Sequence, residues 1–338
     1  MPDARLVATV TAPLGAAGAP EIIHRTLLVQ RGDAELVVRD LDGIRPERRF
    51  PAPWPRDYGS VTVSPGGDLA VFGGVHAIRA VDVTGAVRWE LRHGCWSAAV
   101  CEVAHEAFDE YAGEHYHATA DSGSAAFSAD GRVVWAHVRA NQGDGEEWLV
   151  LDAGDGTVLA RADTMTVGSM SWHVAHPDPA FMGLSIGTGD EDAPTLWGRW
   201  AGGTLTVTRL PGEVLLDVSP SGEHFLTVDV EQSSLGLYRA VDGAELRRAD
   251  AEDDDEEIWE YAGAVPWDTV ALAGVEVEVD EPEHWLIDLG TMTARGPVAY
   301  PFPVWGPPRP VGPGTWCTVA RDDTAVHLWA LAGLPEDV

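Results

Sequence analysis

Lysine is absent from this 338-residue sequence, and all 22 of its basic residues are arginine. A Schiff-base lysine, the lysine of a phosphate-binding loop and a Ser-Lys catalytic dyad are therefore excluded. Asparagine occurs once, at Asn141, and the Gln-Gly pair that follows it does not make an N-glycosylation acceptor. The absence of lysine therefore excludes several common enzyme classes, and the sequence around Asn141 excludes N-glycosylation.

Cysteine is also scarce, with only Cys95, Cys101 and Cys317. Their number and irregular spacing predict neither a disulfide framework nor a paired Cys-x-x-Cys zinc site, and no histidine signature of a thiol enzyme accompanies them. No apolar run approaches the length of a membrane-spanning helix. The opening residues MPDARLVATVTAPLG lack a basic segment followed by an apolar one, so we expect no signal peptide and a soluble, cytoplasmic protein.

Basic residues are few compared with acidic ones: 54 acids stand against 22 bases, for a net charge of −32. A field of this sign repels the phosphate backbone of nucleic acids and the anionic surface of membranes. We therefore expect neither nucleic acid nor a membrane as a partner. Basic protein segments, polycations and divalent cations are the partners that such a surface attracts.

A short motif recurs along the chain, as in SPGGDLAVF around Pro65, SADGRVVWA around Ala129 and SPSGEHFLTV around Pro220. Each copy is a turn followed by a run of strand-forming residues, and further copies stand at Pro20, Pro177, Pro266 and Pro313. Successive copies are 43–48 residues apart, except for a step of 64 residues from Pro65 to Ala129. A period of roughly 40–50 residues is typical of the four-stranded blades of a β-propeller, and seven copies predict seven blades.

A second motif follows most copies of the first: an apolar run, an Asp, a Gly-containing turn and another run, as in RAVDVTGAVRWEL and LVLDAGDGTVLAR. This pattern predicts a tight hairpin between two strands. Together the two motifs resemble the β-propeller superfamily in its bacterial WD-repeat-like and quinoprotein-like forms. The recurring Gly-His and Trp-Asp signature dipeptides of true WD repeats and a recognisable quinone-binding set are missing. The resemblance implies a fold, an all-β seven-bladed β-propeller of four-stranded antiparallel blades, and no particular activity.

The resemblance covers nearly the whole chain, so we expect a single domain over residues 1–338. The segment RLVATVT near the N-terminus is interpreted either as the outer strand that completes the last blade or as the inner strand of the first. The 64-residue step predicts an insertion at about residues 95–122, before the third blade.

Acid-rich stretches such as NQGDGEE, GTGDED and DAEDDDEE fall in loops between the second and third strands of a blade or between blades. Because blade strands alternate in direction, these loops share one face of the propeller. We predict there an acidic partner-binding surface, with two tryptophans as anchors, formed by Trp96, Asp144, Glu146, Glu147, Asp190, Glu191, Asp192, Asp254, Asp255, Glu257 and Trp259. The alternative is that the acids provide solubility and that the tryptophans pack in the interior.

Histidines offer a different interpretation. In EHYH, His115 and His117 are two residues apart, so in an extended segment both imidazoles point the same way and are able to bind one divalent metal ion. His173 and His176 of SWHVAH would complete the set, with Glu114 as general base. The alternative is that these histidines form hydrogen bonds within loops.

We therefore expect a non-enzymatic binding platform without a cofactor, which recognises a basic segment of a protein partner through an acidic propeller face. The alternative is a metal-dependent hydrolase or lyase with its site at the mouth of the propeller channel. The enzyme requires clustered histidines around an ion, whereas the platform requires neither.

Overall fold

The computed structural model describes residues 2–97, 101, 104–118, 123–141, 145–168, 170–188, 194–251, 258–278 and 281–332. In these parts of the chain, 28 strands form seven four-stranded antiparallel sheets, which are the blades of a β-propeller. Helical structure in the described residues is limited to the 3-10 helices Arg56–Tyr58 and Phe108–Glu110 and the α-helix α1 (His115–Ala118). No helix among these residues is long and apolar enough to cross a membrane.

The first strand, β1 (Ala4–Thr11), belongs to the last sheet, and the chain then builds blades 1 to 3 in order. Blade 1 contains β2 (Glu21–Ile23), β3 (Leu27–Arg31), β4 (Glu35–Asp40) and β5 (Arg48–Pro51). Blade 2 contains β6 (Gly59–Val63), β7 (Leu69–Gly74), β8 (Ala77–Asp82) and β9 (Val87–Arg92). Blade 3 contains β10 (Ala125–Phe127), β11 (Val133–Arg139), β12 (Glu146–Asp152) and β13 (Val158–Asp163).

The remaining strands form blades 4 to 7. Blade 4 contains β14 (Met170–Ala175), β15 (Phe181–Gly187), β16 (Pro194–Ala201) and β17 (Thr204–Pro211). Blade 5 contains β18 (Glu213–Val218), β19 (His224–Asp229), β20 (Ser234–Arg239) and β21 (Ala244–Asp250). Blade 6 contains β22 (Ile258–Ala264), β23 (Val270–Glu278), β24 (Glu281–Asp288) and β25 (Thr293–Pro297), and blade 7 contains β26 (Trp305–Pro310), β27 (Thr315–Val319) and β28 (Ala325–Leu331) beside β1.

The chain divides into two compact units, one of Met1–Gln30 and Gly212–Val338 and the other of Arg31–Pro211. In the first unit, β1 pairs antiparallel with β28, with Val10 opposite Val326. The N-terminal strand therefore completes the last blade, as the first of the two sequence interpretations predicted. A buried apolar cluster that contains Trp267, Trp316 and Trp329 joins blades 6 and 7 in this unit.

The second unit shows why its middle strands have nearly continuous apolar sequences. Every residue of β11 is buried, because that strand has a sheet neighbour on each side and a packed layer on each face. Between blades 3 and 4, Trp135 and Trp148 lie with ring centroids 5.0 Å apart. Gly198 of β16 faces them, and a Cβ atom there would lie 2.6 Å from Trp148. Only glycine therefore allows this close approach of the two blades.

Most of the predicted turn anchors lie where the motif placed them, between the first and second strands of blades 2 to 7. Blade 1 is the exception, because Pro20 precedes β2 and the turn from β2 to β3 is made by residues 24–26. His24 and Arg25 adopt positive φ values of 51° and 61° in that turn. The predicted insertion lies between β9 and β10, and it contains the second 3-10 helix and α1.

Candidate functional site

The predicted acidic surface is only partly within the described residues. Seven of its eleven members lie outside them: Asp144, Asp190, Glu191, Asp192, Asp254, Asp255 and Glu257. The other four are Trp96, Glu146, Glu147 and Trp259. Of these, only Glu147 is at the surface, where its carboxylate lies 3.2 Å from Arg161.

Glu146 does not belong to an exposed rim, because it is 1% exposed. Its carboxylate accepts hydrogen bonds from Thr166 Oγ1 at 2.7 Å and from the Gly168 amide at 2.6 Å, and it lies 3.1 Å from His137 Nε2. Arg139 Nη1 lies 3.8 Å away. Burial by itself raises the pKa of Glu146, but the hydrogen bonds outweigh it and hold the pKa below its usual value. Glu146 is thus an internal anchor for the chain around it.

The two tryptophans predicted as surface anchors are also buried. Trp96 is 3% exposed and its ring meets His137 edge-on, with centroids 5.3 Å apart. Trp259 is 5% exposed and meets Trp285 edge-on at 6.3 Å. The indole rings are large apolar groups, and packing against other rings removes them from water. Neither ring is placed to contact a partner.

An exposed apolar surface lies instead on the connection between β13 and β14. Along residues 163–168, exposed and buried side chains alternate strictly. Met165, Val167 and Met170 are 76%, 63% and 57% exposed, and we call these three side chains the Met165 surface. A row of outward apolar groups of this kind was not predicted, although the alternation in ADTMTVGSM is visible in the sequence.

Glu146 explains why this segment points its apolar side chains outward. Thr164 Oγ1 donates to the Glu146 carbonyl at 3.0 Å, while Thr166 and the Gly168 amide donate to the Glu146 carboxylate. With every second residue fixed to Glu146, the residues between them must face solvent. Met165 adopts a positive φ of 55°, and its amide donates to Asp163 Oδ1 at 2.7 Å. The surface is therefore held in place by buried polar contacts.

The Met165 surface lies at the end of blades 3 and 4 where the acid-rich stretches are attached. The connection from β13 to β14 shares that end with the chain between β11 and β12 and with the chain between β15 and β16, because the strands are antiparallel. Exposed Asp163 and the half-exposed Glu147 stand beside it in the described residues. In the sequence, the segments that join these strands also contain Asp144, Asp190, Glu191 and Asp192, which lie outside the described residues.

The four histidines predicted as metal ligands are not brought together. His115 and His117 lie on α1 rather than on an extended segment, so His115 is exposed while His117 is buried. Residues two apart on a helix do not face the same way. His173 accepts a hydrogen bond from Trp148 Nε1 at 3.0 Å and lies 2.9 Å from Ser124 Oγ, and burial lowers the pKa of His173 to about 3. His176 Nδ1 accepts from the Asp178 amide at 2.9 Å.

A different set of ligand-bearing side chains does come together in the insertion. One atom each of Cys95, Cys101, His105 and His117 lies within 4.8 Å of the others. His105 Nε2 is 3.3 Å from Cys101 Sγ and 3.1 Å from His117 Nε2. The spacing, Cys-x5-Cys-x3-His-x11-His, matches no pattern expected of a zinc site, so the sequence did not predict it. The available signal was that two of the three cysteines and four of the twelve histidines lie within residues 93–117.

Comparison with known proteins supports the fold. A chain in a crystal structure of the mitotic checkpoint complex is similar to this chain, with a TM-score of 0.60 and 11% sequence identity. The match covers 98% of this chain and 93% of that chain. A crystal structure of the Cps50 (Swd1) β-propeller domain from Myceliophteria thermophila is similar to 81% of this chain over 96% of its own length, with a TM-score of 0.41 and 11% identity. No protein-family model and no curated protein matches the sequence. The similarity with a TM-score of 0.60 agrees with the seven-bladed β-propeller fold of the chain, and identity this low shows the fold alone.

Proposed function

We propose that this protein is a non-enzymatic scaffold that binds a basic segment of a partner protein at the Met165 surface. The observation that carries the proposal is the set of three strongly exposed apolar side chains on a segment fixed by Glu146. Exposed apolar groups in a row are uncommon on soluble proteins unless they form an interaction site. Methionine also adapts its shape to different partners, because its side chain is unbranched and polarisable.

The charge of the chain supports a basic partner. A net charge of −32 attracts basic segments over the Debye length and accelerates their association. Asp163 and Glu147 border the apolar side chains within the described residues. A partner segment with apolar side chains for the Met165 surface and arginine or lysine for the acids around it matches both features.

The similar chain from the mitotic checkpoint complex belongs to a protein assembly, which is consistent with a scaffold function for this fold. The alternative, a hydrolase or lyase, depended on a metal ion held by His115, His117, His173 and His176 with Glu114 as base. His173 and His176 have hydrogen-bond partners of their own and are not in the cluster that contains His117. The geometry therefore favours the scaffold.

The experiment is a capture comparison at low salt from a lysate of the organism that encodes the chain. The bait variants are wild type, Met165→Ser/Val167→Ser/Met170→Ser, and a matched control with Ile44→Ser/Val83→Ser. Ile44 and Val83 are also exposed apolar residues, but they lie in turns between the third and fourth strands, at the opposite strand ends. We expect a basic partner that wild type and the control retain and the triple variant loses. Equal capture by all three baits, or capture that is unchanged at high salt, would contradict the proposal.

A further inference from the structure

The two histidines of the insertion cluster face each other in an unusual way. Their Nε2 atoms are 3.1 Å apart. On the far side of His105, Nδ1 is hydrogen-bonded to Glu110 Oε2 at 3.3 Å. On the far side of His117, Nδ1 lies 3.0 Å from Glu114 Oε2, off the direction of the N–H bond. Each ring thus has a carboxylate oxygen at its Nδ1 atom.

Both carboxylates act as hydrogen-bond acceptors from other groups as well. Glu110 accepts the backbone amide of Glu106 at 3.2 Å, and Glu114 accepts the hydroxyl of Tyr116. An ionised carboxylate can only accept, so Glu110 places the imidazole proton of His105 on Nδ1. His105 Nε2 then carries a lone pair that faces His117 Nε2 across 3.1 Å. With the Glu114 carboxylate 3.0 Å from His117 Nδ1, the same tautomer of His117 gives two facing lone pairs, and a cation between them stabilises this arrangement.

Two cysteines complete the arrangement. Cys101 Sγ is 3.3 Å from His105 Nε2, and Cys95 Sγ is within 4.8 Å of the other three ligand atoms. A tetrahedral zinc site with Zn–S bonds of 2.3 Å and Zn–N bonds of about 2.0 Å has ligand–ligand separations of about 3.3–3.8 Å. Two sulfurs and two imidazole nitrogens are a donor set typical of tetrahedral zinc sites.

We propose that Cys95, Cys101, His105 and His117 bind one structural zinc ion. All four ligand positions come from the protein, which is the closed arrangement of structural sites rather than the open one of catalytic sites. Cys95, His105 and His117 are 5%, 8% and 1% exposed, so water has little access. Glu110 orients the His105 imidazole from behind through a hydrogen bond, as carboxylates commonly do for zinc-bound histidines, and Glu114 lies 3.0 Å from Nδ1 of His117.

The zinc ion would fix the insertion on blade 2. Among its described residues, the insertion has only single-turn helices, so its own backbone hydrogen bonds provide little rigidity. Tyr111 stacks on His117 at 4.7 Å, and its hydroxyl lies 2.7 Å from His76 Nδ1 in the turn between β7 and β8. Metal binding at His117 thus orders a segment that reaches blade 2. This function is independent of partner binding at the Met165 surface.

The first test is the metal content of the untagged, full-length protein, purified under reducing conditions and dialysed against metal-free buffer. Elemental mass spectrometry is expected to find about one zinc ion per chain. Cys101→Ser and His105→Gln are expected to lose most of it, whereas Cys317→Ala and His115→Gln keep it. Cys317 is a buried cysteine outside the cluster, and His115 is the exposed histidine of the same helix. The controls therefore match the two ligand types.

A second measurement does not depend on the folding of variants. Cobalt(II) exchanged into the wild-type protein is expected to give the intense visible bands of a tetrahedral cobalt–thiolate complex, and zinc is expected to abolish them. Glu110→Gln, which alters a positioning residue, is expected to weaken zinc binding about 10- to 100-fold in a chelator competition. A reduced wild-type protein with far less than one zinc ion per chain would overturn the proposal. So would a Cys95–Cys101 disulfide in protein purified without oxygen, or a zinc content unchanged in Cys101→Ser and His105→Gln.

Discussion

Glu146 stabilises the fold and, through the same hydrogen bonds, holds the Met165 surface in place. It is buried, and three groups on the connection to blade 4 hydrogen-bond to its side chain or backbone. An acid in an acid-rich stretch is normally a surface residue, which is why NQGDGEE predicted an exposed rim at this position. Only the folded chain brings His137 and Thr166 to the carboxylate. The neighbouring Glu147 has the same local sequence and the opposite environment.

Replacement of Glu146 by alanine is expected to destabilise the protein by about 3–5 kcal/mol, because it leaves His137, Thr166 and the Gly168 amide buried without their acceptor. Glu147→Ala is the matched control, and removal of its surface pair with Arg161 is expected to cost about 0–1 kcal/mol. Urea unfolding of both variants measures the difference. Equal losses in the two variants would show that Glu146 is not an internal anchor.

His284 makes the stability of the first unit depend on pH. It is 1% exposed, its Nδ1 is 2.6 Å from Tyr300 Oη and its Nε2 is 3.0 Å from the Gly306 carbonyl. Burial lowers the pKa of His284 from 6.5 to about 4. Between these two values the unfolded chain binds more protons than the folded one, so the stability that neutral His284 provides is complete above pH 6.5 and is lost as the pH falls towards 4.

In His284→Gln the free energy of unfolding is therefore expected to depend less steeply on pH between 6.5 and 4 than in the wild-type protein. The difference in slope is at most about 1.4 kcal/mol per pH unit. Denaturant titrations at several pH values measure it. If both proteins have the same slope, His284 does not titrate in this window.

The connection between β13 and β14 is held in its conformation by hydrogen bonds from every second residue to Glu146, not by the conformational preferences of its own residues. Met165 adopts a left-handed conformation that is unfavourable for a residue with a side chain. We expect Met165→Gly to leave the free energy of unfolding unchanged or to raise it by up to about 1 kcal/mol, because the strain is relieved and the lost side chain is exposed. Thermal and urea unfolding measure this effect.

The matched variant is Val167→Gly, at the next exposed position of the same segment. Val167 is not among the residues with positive φ, so glycine there relieves no strain and adds backbone entropy to the unfolded chain. A loss of roughly 0.5–1 kcal/mol is expected. If Met165→Gly is destabilising to the same degree as Val167→Gly, the left-handed conformation carries no strain.

The strands and turns were largely predictable, and the exceptions have physical reasons. A strand with two neighbours and two covered faces requires an apolar run, and a tight turn requires Pro, Gly or Asp, so both signals are local. The sequence predicted an extended segment at His115 and His117, but both residues lie on α1. A single helical turn has too few residues to show the periodicity of a helix. The motif predicted Pro20 in the first turn of blade 1. In the structure, His24 and Arg25 form that turn with positive φ values.

At the scale of the whole chain, the seven-bladed architecture was predictable because each blade repeats the same local signals at a fixed period. The cluster of Cys95, Cys101, His105 and His117 was not predictable, because it arises where residues distant in the sequence meet. Cys95 and His117 are 22 residues apart and come together only when the insertion folds on blade 2. Net charge was visible in the composition, but composition does not show which acids are buried, as Glu146 illustrates.

Site-specific photo-crosslinking in cells that contain the natural partner tests partner binding at the Met165 surface. A photoreactive amino acid replaces Val167 on the Met165 surface or, as the control, Val83 in the turn between β8 and β9. We expect a crosslink to a basic protein from position 167 and no such crosslink from position 83. The crosslink from position 167 is expected to be lost when cells are lysed into high salt before irradiation. The same crosslinked protein from both positions, or none from position 167, would contradict partner binding at this surface.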